Sequence, residues 1–243
     1  LGAGTKAERR RVEDAFCRWL DMAGRDATEL YLMGDIFDFW FEYHRVVPRG
    51  FTRVLARLAE LSARGVRVVL FTGNHDMWCY DYLAQECGVE IVRNPRVVEF
   101  DGVKVHLAHG DNLNISGQPM LKLMNTIFRS SVARTLFSWL VHPDLALKFG
   151  LWWSGKSRKS HNKTLMGVDN LRPLVEYARE HNLKNGDVEH YIFGHMHLPH
   201  YVREERFEVL FLGDWCGAEA VYATMDDDNN LKLNTFAIDE TVS

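Results

Sequence analysis

The sequence predicts an α/β fold leaning to α+β: two packed sheets flanked by helices, with a helical cap inserted near the middle of the chain. Three observations predict it. Four short apolar runs, Glu29 to Met33, Val66 to Thr72, Val103 to Ala108 and Val188 to Phe193, have the length and residue types of buried strands. Stretches with apolar residues at helical spacing lie between them. Residues 112–165 then interrupt this alternation, and are too long for an ordinary connection and too apolar for a disordered one.

Lys6 to Met22 places Val12, Ala15, Phe16, Trp19 and Leu20 on one helical face, and Phe51 to Ala63 does the same with Val54, Leu55, Leu58 and Leu61. Each of these helices precedes a strand, and the alternation continues as far as Val92. Val97 to Phe100, the Asp101-Gly102 turn and Val103 to Ala108 read as a hairpin. A helix is expected from Leu165 to His181, followed closely by strands over 188–193, 207–212, 219–225 and 231–236. The organisation expected is a core of residues 1–111 and 166–243, with 112–165 as the cap.

Composition excludes several classes. A chain of 243 residues, 47% hydrophobic and 26% charged, can bury a sizeable core. No apolar run reaches the roughly 18 residues of a spanning helix. Cys17, Cys79, Cys87 and Cys216 show neither CxxC spacing nor the density of a disulfide scaffold, so they are expected to be buried hydrophobes in a reducing compartment.

The chemistry lies in four fragments, each directly after an apolar run: Gly34-Asp35, Gly73-Asn74-His75-Asp76, His109-Gly110-Asp111 and Gly194-His195-Met196-His197. Singly, such fragments are ordinary turns; together, one sheet edge would gather them into a metal site. They supply oxygen and imidazole ligands but no thiolate, a set suited to Mn²⁺, Mg²⁺, Fe or Zn²⁺ at a catalytic centre. In a two-metal hydrolase, ions about 3.5 to 4 Å apart clamp the attacking and leaving oxygens at phosphorus. The Asp35 carboxylate can bridge two ions, Asn74 offers a carbonyl oxygen, and His109, His195 and His197 offer ring nitrogens. In an extended stretch His195 and His197 would project to the same side, one towards each metal.

The ordered set GD, GNHD, HGD and GHMH resembles the calcineurin-like metallophosphoesterase superfamily, from Leu1 to about Gly217. That superfamily opens with a strand ending in Asp-x-His, which the numbered sequence does not contain. A preceding segment of about ten residues, one strand with its flanks, is therefore expected before Leu1. The resemblance implies one metal held by Asp35, Asn74, His109 and His195, and another by Asp35, His197 and the two absent residues. It further implies that His75 stabilises transition-state charge or protonates the leaving oxygen, with Asp76 orienting His75. Asp111 is expected to orient His109 or simply to shape the turn, and Asp38 to fix the absent histidine.

The cap carries Lys122, Arg129, Arg134, Lys148, Lys156, Arg158, Lys159 and Lys163 against Asp144 alone, a net +7 in a chain of formal charge −4. Such polarity beside a metal site implies an anionic partner. Leu121, Leu123, Met124, Ile127, Phe128, Leu136, Phe137, Trp139 and Leu140 interleave with those charges, and Leu145, Leu147, Phe149, Leu151, Trp152 and Trp153 follow. This apolar content serves either to pack the cap on the core or to meet a lipid with its headgroup at a membrane surface. Nucleic acid would account for the charge but not for the apolar surplus.

Leu1-Gly2, Gly34-Asp-Ile-Phe-Asp-Phe-Trp40 and Leu212-Gly-Asp-Trp215, together with an apolar cap after HGD, are similar to the superfamily branch that cleaves UDP-2,3-diacylglucosamine in lipid A biosynthesis. Some members of that branch carry Arg where this chain has His75. The resemblance implies a UDP-linked acylated glucosamine lipid as substrate, UMP and a lipid phosphate as products, and two divalent ions, Mn²⁺ foremost. It also implies a place at the cytoplasmic face of a Gram-negative inner membrane. Ser160, Asn162 and Lys163, at the return from cap to core, are expected to contact the substrate. The alternatives are another phosphodiesterase or nuclease with the same centre, and a non-catalytic scaffold.

Overall fold

A computed structural model describes residues 1–113, 119–163 and 167–239, without the side chains of residues 121 and 156–163. The chain opens with α1 (Lys6–Ala23), started by a capping box in which Thr5 and Glu8 exchange hydrogen bonds. It continues through β1 (Glu29–Leu32), α2 (Thr52–Ala63), β2 (Arg67–Phe71), α3 (Tyr82–Cys87) and β3 (Glu90–Val92). The hairpin of β4 (Arg96–Phe100) and β5 (Val103–Ala108) follows as expected.

Three helices come next: α4 (Pro119–Arg129), α5 (Ser131–Leu140) and α6 (Pro143–Lys163). After them run α7 (Arg172–Asn185), β6 (His190–Phe193), β7 (His200–Arg203), β8 (Glu208–Phe211), β9 (Glu219–Met225) and β10 (Leu231–Ala237). The helix expected from Leu165 starts instead at Arg172, after a 3₁₀ turn over Val168–Leu171. Pro173 explains the boundary, because proline fits the first helical turn, where its missing N–H costs nothing.

The parallel order β1-β2-β3 forms one sheet and β4-β5-β6-β8-β7 a second, while β9 and β10 pair as a separate antiparallel ribbon. Side-chain alternation decides the layering. On β1 and β2, Leu30, Leu32, Val68 and Leu70 face outwards onto Phe16, Trp19 and Leu20 of α1 and Val54, Leu58 and Leu61 of α2. Met33, Val69 and Phe71 point the other way and meet Val105, Leu107, Ile192 and Leu210 between the sheets. The far side of the second sheet buries Tyr191, Phe193, Val209 and Phe211 against Leu174, Val175 and Ala178 of α7. Burial on both faces is why these strands read as continuous apolar runs rather than as alternating ones.

Candidate metal centre

β1 runs parallel to β2, and β5 parallel to β6, so the four motif fragments all leave carboxyl ends of strands. The turn after β1 is held in a rare conformation: Gly34 has φ +89° and Asp35 φ +54°, in the left-handed region. Close approach makes both flanking glycines necessary. A Cβ on Gly34 would lie 2.4 Å from His109 Nδ1, and one on Gly73 would lie 2.1 Å from Asp35 Oδ1. The GD and GNHD loops therefore touch through the only residue type that leaves room.

His109 and Asp35 are fixed from behind. The Nδ1–H of His109 points at the Met33 carbonyl, 2.8 Å away, and a carbonyl only accepts, so Nε2 is the nitrogen that faces the site. The His109 carbonyl in turn accepts from the backbone N–H groups of Gly194 and His195 at 3.0 and 2.9 Å, tying the ends of β5 and β6 together. Asp35 Oδ1 accepts from the His75 backbone N–H at 2.8 Å. Around His109 Nε2 stand Asp35 Oδ2 at 3.3 Å, Asn74 Oδ1 at 3.4 Å and His195 Nδ1 at 3.2 Å.

Ligand atoms of Asp35, His109 and His195 lie within 4.8 Å of one another. The electrostatics of this cluster call for positive charge. Burial alone would depress the pKa of His109, yet the Asp35 carboxylate outweighs it and raises that pKa to about 9. Burial likewise opposes ionisation of Asp35, but His109, His75 and His195 hold it well below the usual carboxylate range. Oxygen and imidazole donors converging on one half-buried point fit a divalent cation.

His197 stands apart from that cluster. Residues 195–197 form a turn rather than the extended stretch anticipated, and His197 takes φ +52°. With Asp35, Met33 and Asp214 it lines an adjoining cavity of about 380 Å³, and its Nδ1 lies 3.8 Å from Asp214 Oδ2. Asp35 is thus the residue common to cluster and cavity.

Two expected orienting roles go to other residues. Asp76 does not hold the His75 ring; its buried carboxylate accepts from the N–H groups of Gly73 at 2.7 Å and Ile36 at 2.8 Å, bracing one motif loop against the other. Burial and the neighbouring charge of Asp35 raise the Asp76 pKa to about 6, against the pull of those amides. The His75 ring is held by the backbone carbonyl of Asp38, 2.9 Å from Nδ1. Asp111 pairs with Arg129 of α4 at 3.0 Å, and it is the Met33 carbonyl that fixes the His109 ring.

The motif ending at Trp40 stands out in the sequence, but the bracing role of residues 38–43 does not. The Trp40 N–H donates to the His75 carbonyl and the Glu42 N–H to that of Trp78, while the buried Glu42 carboxylate accepts from the N–H groups of Tyr80 and Asp81. This segment and the GNHD loop form the seat of the three helices: Tyr43 OH donates to the Val141 carbonyl, and Trp78 Nε1–H to that of Phe128, each at 3.0 Å. Arg134 stacks over Tyr80 at 3.9 Å. The side chains of Ser160, Asn162 and Lys163 lie outside the described residues.

Such a sandwich, with carboxylate, amide and imidazole groups at its strand ends, defines a metallophosphoesterase. Residues 12–199 match the family model described as calcineurin-like phosphoesterase, and the chain belongs to that family, as a metal-dependent hydrolase of phosphoesters or phosphoric anhydrides. A Porphyromonas gingivalis protein named UDP-2,3-diacylglucosamine hydrolase is 39% identical over 229 residues, which cover 88% of this chain and 87% of that one. Proteins of the same name from Stutzerimonas stutzeri and Pseudomonas fluorescens Pf0-1 are 28% and 26% identical. The first of these covers 95% of both chains, the second 94% of this chain and 91% of its own.

Proposed function

We propose that this protein hydrolyses the diphosphate of UDP-2,3-diacylglucosamine to UMP and 2,3-diacylglucosamine 1-phosphate, with Mn²⁺ as its metal. The observation that carries the reading is the convergence of Asp35, Asn74, His109 and His195 at one half-buried point, in a chain 39% identical to a hydrolase named for that substrate. Asp35, Asn74, His109 and His195 would hold one ion, and Asp35 with His197 would contribute to a second. Bound divalent ions there supply Lewis-acid polarisation of the phosphoryl oxygens and activation of water.

The residues of the chain do the rest. The Asp38 carbonyl commits Nδ1–H of His75, so Nε2 is the atom that exchanges a proton with the leaving oxygen or faces its developing charge. Asp76 keeps the two motif loops in register, a supporting role rather than one at the reacting atoms. Ser160, Asn162 and Lys163 are assigned to the substrate's polar groups.

The exposed face of α4–α6 supports an acylated substrate taken from an anionic membrane surface. Trp139 and Leu140 are 86% and 80% exposed, and Leu123, Ile127, Phe149 and Trp152 are exposed around them. No helix among the described residues is long and apolar enough to cross a membrane. The location proposed with this substrate is peripheral, on the cytoplasmic side of the inner membrane. The test is UMP release from UDP-2,3-diacylglucosamine with added Mn²⁺. Release that chelation stops is the expected result; metal-loaded, folded protein that releases none would move the substrate to another phosphodiester.

A further inference from the structure

A buried polar contact joins the cap to the segment that follows the GD motif. Ser154, on α6, is 1% exposed, and its hydroxyl donates to Oδ1 of Asp38, itself 8% exposed. The same residue, through its backbone carbonyl, receives the Nδ1–H of His75. Asp38 therefore joins a cap helix to the one imidazole of the GNHD loop, with two hydrogen bonds and a single residue between.

The packing around this contact is close. Ala146, Gly150 and Ser154 are buried at successive i, i+4 positions on α6. A Cβ on Gly150 would lie 2.4 Å from ring carbons of Phe39, so the helix backbone lies against the residue next to Asp38. The helix cannot shift along that face without moving residues 38 and 39. The Trp40 N–H to His75 carbonyl bond carries any such movement back to the GNHD loop.

We propose that Ser154 is a positioning residue for the reaction: through Asp38 it sets the orientation of the His75 ring, so that the seated cap is part of the catalytic arrangement and not only a cover over the substrate. The proposal rests on the assignment of His75 as a group at the reacting atoms, made above, but not on the identity of the lipid. Ser154 has no place among the metal donors. Its loss acts on the turnover step.

The experiment is a double-mutant cycle between Ser154→Ala and His75→Ala, read on UDP-2,3-diacylglucosamine and, in parallel, on bis(p-nitrophenyl) phosphate. Alone, Ser154→Ala lowers kcat by about 10-fold with KM and metal content unchanged, the low end of what losing a supporting partner costs. Ser154→Thr, which keeps the hydroxyl, recovers most of that loss. In the His75→Ala background the Ser154→Ala change costs less than about 2-fold, because coupled residues do not add.

An undiminished 10-fold penalty in that background, a wild-type kcat in Ser154→Ala, or an effect confined to KM or metal content would each overturn the proposal. Turnover of the small diester without UMP release would sink the lipid assignment while the cycle still decides the role of Ser154. A readout that needs no turnover completes the test. In metal-free protein labelled with ¹⁵N-histidine, the Nδ1–H resonance of His75 should lose its protection from solvent exchange in Ser154→Ala, and an unchanged resonance would count against the proposal.

Discussion

At the ends of β1 and β5 two donor side chains are held from a second direction, His109 by the Met33 carbonyl and Asp35 by the His75 amide. On α4–α6 the order is reversed, with large apolar side chains turned outwards and the helices held mainly along their inner faces. The two regions also use cations differently. Buried imidazoles answer a carboxylate at the centre, whereas two of the cap's basic residues are spent on attachment, Arg129 to Asp111 and Arg134 over Tyr80. Placement of ligands demands rigid strand ends, and an adaptable apolar surface needs only a firm seat.

Removal of His109 should show the largest effect. His109→Ala is expected to abolish stoichiometric metal binding at the Asp35 cluster and to lower activity more than about 100-fold, beyond the range for supporting groups. Metal analysis by mass spectrometry beside a rate measurement checks both. Full metal content with full activity would break the comparison at its first term.

His75→Ala should lower kcat by about 100- to 10,000-fold, the range for a proton-transferring group, while the protein keeps its metal. Loss of metal in this variant would place His75 among the ligands instead.

A third expectation concerns the far side of the second sheet, where His106 is 2% exposed and sits against Tyr177, His181 and Tyr191. Burial, with the neighbouring His181, depresses its pKa from 6.5 to about 4. Between those values the unfolded chain binds more protons than the folded one, so stability rises with pH. The contribution is complete above pH 6.5 and fades as pH falls towards 4, by roughly 3 kcal/mol. Urea titrations across this range should show the slope, and His106→Phe should flatten it. An unchanged slope in that variant would assign the acid sensitivity elsewhere.

The smallest effect on stability should come from the cap surface. Replacing Trp139 and Leu140 together by serine should shift stability by no more than about 0.5 kcal/mol, as substitutions at exposed positions do. Sedimentation with anionic vesicles should nonetheless weaken by at least about 10-fold, given the apolar area withdrawn. Vesicle binding that survives would remove this face from the proposed membrane contact.

The sequence made the centre legible because glycine, carboxylate and imidazole residues follow apolar runs directly, so strand ends and ligands are announced together. The apolar periodicity of α1 and α2 was equally readable, and their expected and observed limits differ by a residue at most. What stayed hidden depends on contacts across the chain. The partner of His75 turned out to be a backbone carbonyl, which no residue type signals, and Asp76 found amides 3 and 40 residues away. β7 escaped notice because its four residues alternate between half-buried and exposed and carry no apolar run. Cys216 is exposed where a buried thiol was expected, while Cys17, Cys79 and Cys87 are buried as anticipated. The exposure of Trp139 was beyond reach too, since an apolar helix face looks the same in sequence whether it packs or projects.

Tyr43 and Trp78 grip the inserted helices by main-chain carbonyls, at Val141 and Phe128, rather than by side chains. A carbonyl is present whatever residue stands there. The socket therefore imposes almost no sequence requirement at those two points, which are free to diverge between descendants while the helices remain plugged into the same frame. Residue changes at Phe128 and Val141 can then accumulate without a matching change at the strand ends of the centre.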